Sequence, residues 1–453
     1  MIAENGPGFP ILFFACQYAG LIPVGLPISL NLGSHSAYVG NLRHLLQASE
    51  PGLAVAPVEL LPFLEEAAQE LPELNTESAS ALEDLPDADL PLEPVRSDEI
   101  AYLQFTSGST RFPRGVVITQ DAVMKNLQGI SRHGLQVRPG DRSVSWLPFY
   151  HDMGLVGFLL GPVTCQLSAD YMRTRDFAIR PIQWLKLISR NRGTIAFSPP
   201  IGFGLCVRRL TAEDLEQLDL SSWRAAGGGA EMIRAQELDH FAEALRDADF
   251  DPSAFLPCYG LAESTLAVTF APLGEGVSAD EVDFNAMAED GVARPAEQDT
   301  AQVSSLVNCG RAIPEHEVVI RDESGTPLPH RQIGSVTIRG PSVMRGYFCD
   351  AQATEEALTP DGWLDTGDLG YLTEDGLHIT GRKKDLIILN GRNIWPQDLE
   401  HIAEEQPEVR VGDASAFEVF SPDGTEMAVL VVHCRTTDEE ERERLVSSIK
   451  GDV

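Results

Sequence analysis

The stretch Tyr102–Thr119, YLQFTSGSTRFPRGVVIT, decides how the rest of the chain is read. Its flanks, AYLQF and GVVIT, are short β-rich apolar runs and read as strands. Between them, Thr106–Gly115 holds four hydroxyls, two glycines and two arginines. Gly108 and Gly115 allow the backbone to bend and approach a ligand closely. Hydroxyl and N–H donors from Thr106, Ser107, Ser109 and Thr110, with Arg111 and Arg114 adding charge, suit phosphate oxygens. The loop is not a Walker A motif, because G-x-x-x-x-G-K-[ST] is missing and a strand follows the second glycine. A Ser/Gly hairpin loop without a ligand is the other reading these residues leave open.

Outward from this stretch, strands alternate with helices. TQDAVMKNLQGIS reads as a helix with Thr119 as its N-cap. RSVSWLP and TIAFSPP read as strands separated by the helix IRPIQWLKLISRN, and an amphipathic pattern runs from Ala235 to Ala248. This alternation predicts an α/β fold with mostly parallel sheets. From Cys309 the texture changes to short strands joined by Gly and Asp turns, as in HEVVIRD, GSVTIRG and GLHITGRKKDLIILNGRN. That predicts an antiparallel barrel or distorted sheet, followed by the helix IWPQDLEHIAEEQ with Pro396 in its first turn. The polar GRKKD segment marks a lobe boundary at Arg382–Asp385.

The totals bound the function. At 453 residues the chain needs more than one domain or lobe. A net charge of −34 argues against general affinity for nucleic acid or anionic membrane. Seven scattered cysteines without a C-x-x-C pair argue against structural zinc and a disulfide framework, and fit a reducing, cytoplasmic location. Phe9–Ser34 carries no charge and is long enough for a membrane span. Pro10, Pro23 and Pro27, with Gly20 and Gly25, divide it, so it reads as a buried helix, PILFFACQYAG, and a core strand, LIPVGLP. Residues 59–99 form an acidic, Pro-rich stretch, read as a short helix and then a solvated connector.

Three further segments carry candidate chemistry. CYGLAEST places Glu263 in a turn between apolar runs, where a carboxylate can hold Mg²⁺ against phosphates. GWLDTGDLGYL places Asp365 and Asp368 in a Gly-rich turn, where a carboxylate can accept from a ribose diol. GRKKD offers Arg382, Lys383 and Lys384 to an anion. Each also reads as ordinary turn chemistry taken singly.

In order, TSGSTRFPRG, WLPFYHDMGL, GGGAE, YGLAES, GWLDTGDLG and GRKKDLIILNGRNIWPQDLE resemble the motifs of the adenylate-forming superfamily of acyl-CoA synthetases, luciferases and adenylation domains. Within it the chain most resembles the fatty acyl-AMP ligases, through the Thr-Arg step of FTSGSTRFPRGVV, LPFYHDMGL, Ala262 in YGLAEST, and GRNIWPQDLE. The resemblance implies a large α/β lobe of parallel-rich sheets flanked by helices, with a distorted β-barrel-like subdomain. It implies boundaries of 1–381 for this lobe, 382–385 for a hinge and 386–453 for a small, incomplete C-terminal α+β domain. An insertion over 271–307 would restrain the small domain and keep acyl-adenylate from free coenzyme A.

The implied chemistry is ATP-dependent activation of a fatty acid to acyl-AMP, with release of pyrophosphate, then transfer to the phosphopantetheine thiol of an acyl carrier protein. Thr106, Ser107, Gly108, Ser109 and Thr110 would hold the β- and γ-phosphates, with Gly115 among the cofactor-binding residues. Glu263 would ligate Mg²⁺, Asp368 would take the ribose hydroxyls, and Arg382 would contact ribose or phosphate. Gly229, Ala230 and Glu231, with Tyr259, would flank the adenine, and Gly260 would be a further cofactor-binding residue. His151 would sit near the reacting carboxylate, and Leu, Phe and Met residues after it and around Phe203 would line an acyl tunnel. An acidic carrier would meet a basic patch around Arg382–Lys384 and Arg392. The start and end of the chain fall inside the span of relatives, and Lys450 lacks the surroundings of their catalytic lysine. The resemblance therefore implies a chain truncated at both ends. A free acyl-CoA ligase and a non-catalytic nucleotide-binding protein are the competing expectations.

Overall fold

Strand Ile100–Phe105 turns back on Gly115–Thr119 in an antiparallel hairpin, from Ile100 opposite Thr119 to Phe105 opposite Gly115. At its exit the Thr119 hydroxyl accepts from the Ala122 N–H at 3.2 Å and opens helix Gln120–Gly129, as expected of an N-cap. The computed structural model describes residues 1–28, 35–83, 94–106, 113–389, 392–404, 406–420, 426–434, 436 and 438–452.

The core of the large lobe is a seven-stranded sheet. Its order is Arg311–Ala312, Ala267–Phe270, Phe255–Gly260, Ala225–Gly228, Ile195–Ser198, Arg142–Ser145 and Ser168–Tyr171. Pairings from Ser168–Tyr171 through Phe255–Gly260 are parallel, and the last two are antiparallel. Central strands are buried on both faces, so IAFS and AAGG read as continuous rather than alternating runs. A Cβ on Gly227 would lie 2.1 Å from the Phe197 ring, so only glycine lets that ring lie on the sheet. Helices Ile182–Asn191 and Pro200–Arg209 bring Trp184 and Phe203 into an aromatic core with Trp223, Phe241 and Phe255. Phe203 is thus a core residue and does not line a tunnel.

The expected antiparallel region is a four-stranded sheet of Glu317–Arg321, Gly334–Arg339, Leu364–Leu372 and Leu377–Arg382. Beyond it come the hairpin Ile387–Leu389/Arg392–Ile394, helix Pro396–Glu404, the pair Val409–Phe420/Glu426–Cys434 and helix Glu439–Asp452. Ala403, Val409, Leu445 and Ile449 give this α+β part a core of its own.

Three segments differ from expectation or add to it. Helix Gly8–Tyr18 forms, but it buries only Phe9 and Phe13, and Ile11 and Tyr18 face solvent. The run LIPVGLP makes only the isolated bridges Val24–Leu103 and Ile2–Leu26, because Pro23 and Pro27 remove ladder donors. Among the described residues no helix is long and apolar enough to cross a membrane. Within 59–99, helix Leu61–Ala68 packs on helix His35–Ser49, and Asn75–Ser78 pairs parallel with Leu53–Ala56. Residues 84–93 lie outside the described residues. Over 271–307, Ala279–Asp283 pairs antiparallel with Val303–Val307 around helix Phe284–Asp290. Val282, Met287, Ala288 and Leu306 of this unit share one apolar cluster with Tyr371 and Trp395, with Leu386 packed alongside.

Candidate active site

Where strand Phe255–Gly260 and its following turn meet strand Leu364–Leu372, a cleft of about 1170 Å³ opens. It is lined by Thr106, His151, Gly229, Ala230, Glu231, Tyr259, Gly260, Glu263, Asp368 and Arg382, residues drawn from distant parts of the chain. Ser107, Gly108, Ser109 and Thr110 lie outside the described residues. Gly115 does not line the cleft. Hairpin register sets it opposite Phe105, and its carbonyl accepts from the Phe348 N–H at 2.7 Å, so it belongs to the strand rather than to the loop. Thr106 closes the neck of that loop: its N–H donates to the Arg114 carbonyl at 3.1 Å, and its hydroxyl accepts from the Arg114 N–H at 3.2 Å.

Asp368 and Arg382 are brought together by strand register, as direct partners across the ladder. Arg382 Nε lies 3.8 Å from Asp368 Oδ1, while Asp368 Oδ2 accepts from the Tyr259 hydroxyl at 2.6 Å. Burial pushes the Asp368 carboxyl above the usual range, against the pull of Tyr259 and Arg382.

Glu263 sits on a tight turn. A Cβ on Gly260 would fall 1.8 Å from the Leu266 carbonyl oxygen, so glycine is required for the backbone to close. Thr265 takes φ +69°, a strained value for a β-branched residue, and is held there by its hydroxyl donating to the Ser342 carbonyl at 2.8 Å. Glu263 Oε1 accepts from the Tyr347 hydroxyl at 2.9 Å. Burial raises the Glu263 pKa, and the charges of Asp152 and Asp368 add to the rise.

His151 Nδ1 lies 2.7 Å from Asp152 Oδ1, which also accepts from the Met153 N–H at 2.7 Å. Burial works against the imidazolium, but Asp152, with a smaller contribution from Glu231, outweighs it and the net pKa is raised. A histidine raised in this way adds stability below its unfolded pKa, and that contribution is lost as pH rises through the folded value. Asp152→Asn is expected to lower the His151 pKa, because burial then acts with less opposition. NMR titration of the imidazole checks this, and an unmoved midpoint would remove Asp152 as the cause.

Beyond His151 the chain enters a π-helix, Met153–Leu160. Its wide turn carries Gly154 to the Pro148 carbonyl, 2.1 Å from where a Cβ would stand. Met153, Gly157 and Phe158 then line an apolar arm of the cleft with Phe197, Leu266 and Phe270. Leu155, Leu159 and Leu160 are buried in the core and do not line it. Ala230, in GGGAE, holds φ +70° beside the cleft, another strained position at the site.

Sequence reading missed Tyr347, which binds Glu263 from 84 residues away and belongs to no motif quoted above. It also missed Asn126, fully buried, which donates to the carbonyls of Ser264 and Ala267 and to Ser342 Oγ. A polar residue on the apolar face of an amphipathic helix was the available signal.

The carboxylates of Asp152, Glu263 and Asp368 all line this cleft, two of them held up by burial. Such hard oxygen donors fit a divalent cation that takes its remaining ligands from phosphates and water. Among the described residues no cluster of three or more His, Cys, Asp or Glu forms a cage made of protein ligands alone.

The AMP-binding enzyme family matches residues 1–348. A solved fatty acyl-adenylate ligase, from work on the E. coli and L. pneumophila enzymes, superposes with a TM-score of 0.95 at 50% identity, covering 100% of this chain and 80% of that one. A Caulobacter vibrioides protein carrying an acyl-CoA synthetase name is 43% identical over 451 residues, which is 99% of this chain and 78% of its own. A medium-chain fatty-acid–[acyl-carrier-protein] ligase from Moorena producens is 35% identical over 343 residues, 72% of this chain and 56% of its own. The chain belongs to the AMP-binding enzyme family, as an acid-activating, adenylate-forming ligase.

Proposed function

We propose that this protein activates a fatty acid to acyl-AMP and passes it to an acyl carrier protein. The observation that carries the first half is a single cleft lined both by the polar Thr106, His151, Glu263, Asp368 and Arg382 and by the apolar Met153, Phe158, Phe197, Leu266 and Phe270. A fatty acid needs both: charged donors at the carboxylate and an apolar channel for its tail. One carboxylate oxygen of the acid attacks the α-phosphorus of ATP, the acyl–phosphate bond forms, and the bond to pyrophosphate breaks. The step brings an anion to a polyanion, so fixed donors and cations at the reacting centre lower its barrier. In this reading the 106–110 loop holds the β- and γ-phosphates, and Gly229, Ala230, Glu231 and Tyr259 flank the adenine, with Gly260 a further cofactor-binding residue. Asp368 accepts from the ribose hydroxyls, and Arg382 lies beside the sugar or phosphate. His151, its charged form favoured by Asp152, faces the entering carboxylate. Glu263 would hold Mg²⁺, which when bound neutralises phosphate charge. ATP–pyrophosphate exchange with fatty acids of graded length tests the reading. Exchange that no fatty acid stimulates would overturn it.

Transfer to a carrier rather than to free coenzyme A is supported by the packing of the 271–307 unit. We read 382–385 as a hinge between a large domain, 1–381, and a small domain, 386–453. The unit belongs to the large domain, yet Met287 and Val282 share a core with Trp395 and lie beside Leu386, on the far side of that hinge. Trp395, only 2% exposed, is the anchor. Trp395→Ala is expected to loosen this clamp at a cost of about 3–5 kcal/mol in local packing and to let acyl-CoA appear when coenzyme A is supplied. Product analysis checks it. An acyl-CoA ligase is the competing reading, and equal acyl-CoA formation by the parent protein and the variant would favour it.

A further inference from the structure

Residues 171–210 depart from the rest of the chain in charge. They hold eight Lys and Arg against one Asp, a net of +7 (8 − 1) within a chain of net −34. They build helices Thr174–Ile179, Ile182–Asn191 and Pro200–Arg209, the last two packed on strands Arg142–Ser145 and Ile195–Ser198 of the seven-stranded sheet. Arg173, Lys186 and Arg192 are paired with Asp176, Asp214 and Asp219. Arg175, Arg180 and Arg209 are exposed and form no ion pair among the described residues. The Cys206 thiol donates to the Pro181 carbonyl at 3.7 Å, which sets the end of helix Pro200–Arg209 beside Arg180. Ile179 and Ile201, 60% and 51% exposed, stand on the same segments. Ile201, Gly204, Val207 and Arg208 also line the cleft, so this face borders one of its mouths.

We propose that Arg175, Arg180 and Arg209, around Ile179 and Ile201, form the docking face for an acidic carrier protein, whose thiol arm enters the cleft beside Ile201. The proposal rests on the carrier reading above. A chain of net −34 repels an acidic partner at long range. A local reversal of sign steers that partner, and Arg175, Arg180 and Arg209 supply it rather than the Arg382–Lys384 patch expected from the sequence, where Arg382 faces Asp368 at 3.8 Å and Lys383 donates to Ser335 Oγ at 3.4 Å. Charges rimming an apolar centre are the ordinary anatomy of a specific interface. Inside the cleft, beside His151, the arm's sulfur forms a bond to the acyl carbonyl carbon. The carbon–oxygen bond to phosphate breaks, AMP leaves with the electron pair, and the thiol proton passes to water.

The test compares the parent protein with Arg180→Glu/Arg209→Glu, neither residue lining the cleft, using holo acyl carrier protein from a bacterial fatty acid synthase as probe. Fatty-acid-dependent ATP–pyrophosphate exchange, which needs no carrier, should stay within about twofold of the parent, while KM for the carrier rises about tenfold. Added salt should weaken carrier use by the parent more than by the variant. An unchanged KM, or exchange that falls in parallel, would overturn the docking face while leaving the activation reading in place. Loss of binding to a single-stranded oligonucleotide or to phosphatidylglycerol vesicles, with carrier transfer intact, would assign the face to another partner and overturn it as well. A parent that exchanges but never acylates the carrier would overturn the carrier reading and this face together. A parent without exchange would overturn the activation reading itself.

Discussion

Fatty-acid-dependent ATP–pyrophosphate exchange is expected to fall about 10²–10³-fold in Glu263→Ala, the loss typical of one preorganised electrostatic group at a reacting centre. The unliganded protein should respond the other way to Glu263→Gln. Burial, followed by the charges of Asp152 and Asp368, raises the Glu263 pKa. A carboxyl raised in the folded state contributes stability below its unfolded pKa and loses it as pH climbs through the folded value. Above the folded value the buried charge is therefore a cost, relieved when a cation or substrate arrives. Glu263→Gln keeps an acceptor for the Tyr347 hydroxyl and removes the charge. It should melt at a higher temperature than the parent at pH 7, and the gain should vanish at acidic pH, while exchange is lost. Thermal melts across pH, set beside exchange rates, separate this from a packing role, which would lower stability and activity together. Equal exchange by Glu263→Ala and the parent would take Glu263 out of the mechanism.

The second large effect concerns Asn126. Its amide donates to the Ser264 carbonyl at 3.2 Å, the Ala267 carbonyl at 2.8 Å and Ser342 Oγ at 3.0 Å, and its oxygen accepts from the Ala267 N–H at 3.0 Å. All of this is shielded from water, and Ser264 and Ser342 are themselves fully buried. Asn126→Ala strands several polar groups at about 1–3 kcal/mol each, so a loss of about 3–5 kcal/mol is expected. Urea unfolding of the large lobe measures it. Ser264 directly follows Glu263, so exchange by the surviving folded fraction should fall as well. A loss under about 1 kcal/mol would show that water or a rearranged loop replaces the amide.

Much of the architecture was legible because it is local. Alternating strands and helices, the Thr119 cap and the Gly and Asp turns after Cys309 each record constraints between residues a few positions apart. Site candidates were legible where a motif couples a glycine to a functional group, as in YGLAEST and GWLDTGDLG. Two readings failed for reasons of register and hydrogen bonding. Gly115, offered as a cofactor contact, pairs with Phe105 and does not line the cleft, and LIPVGLP looked like a strand although its prolines forbid a ladder.

By itself, then, the sequence determined the class of fold, the order of its motifs and the chemical kinds of group on offer. These follow from backbone propensity and from the periodicity of apolar residues, which act over one or two turns of chain. Only the tertiary structure decided that Tyr259 reaches Asp368 across 109 residues, that Tyr347 reaches Glu263, and that the 271–307 unit closes on Trp395. Such contacts arise from strand register and from burial shared by distant segments, and no short stretch of chain encodes its partner's position.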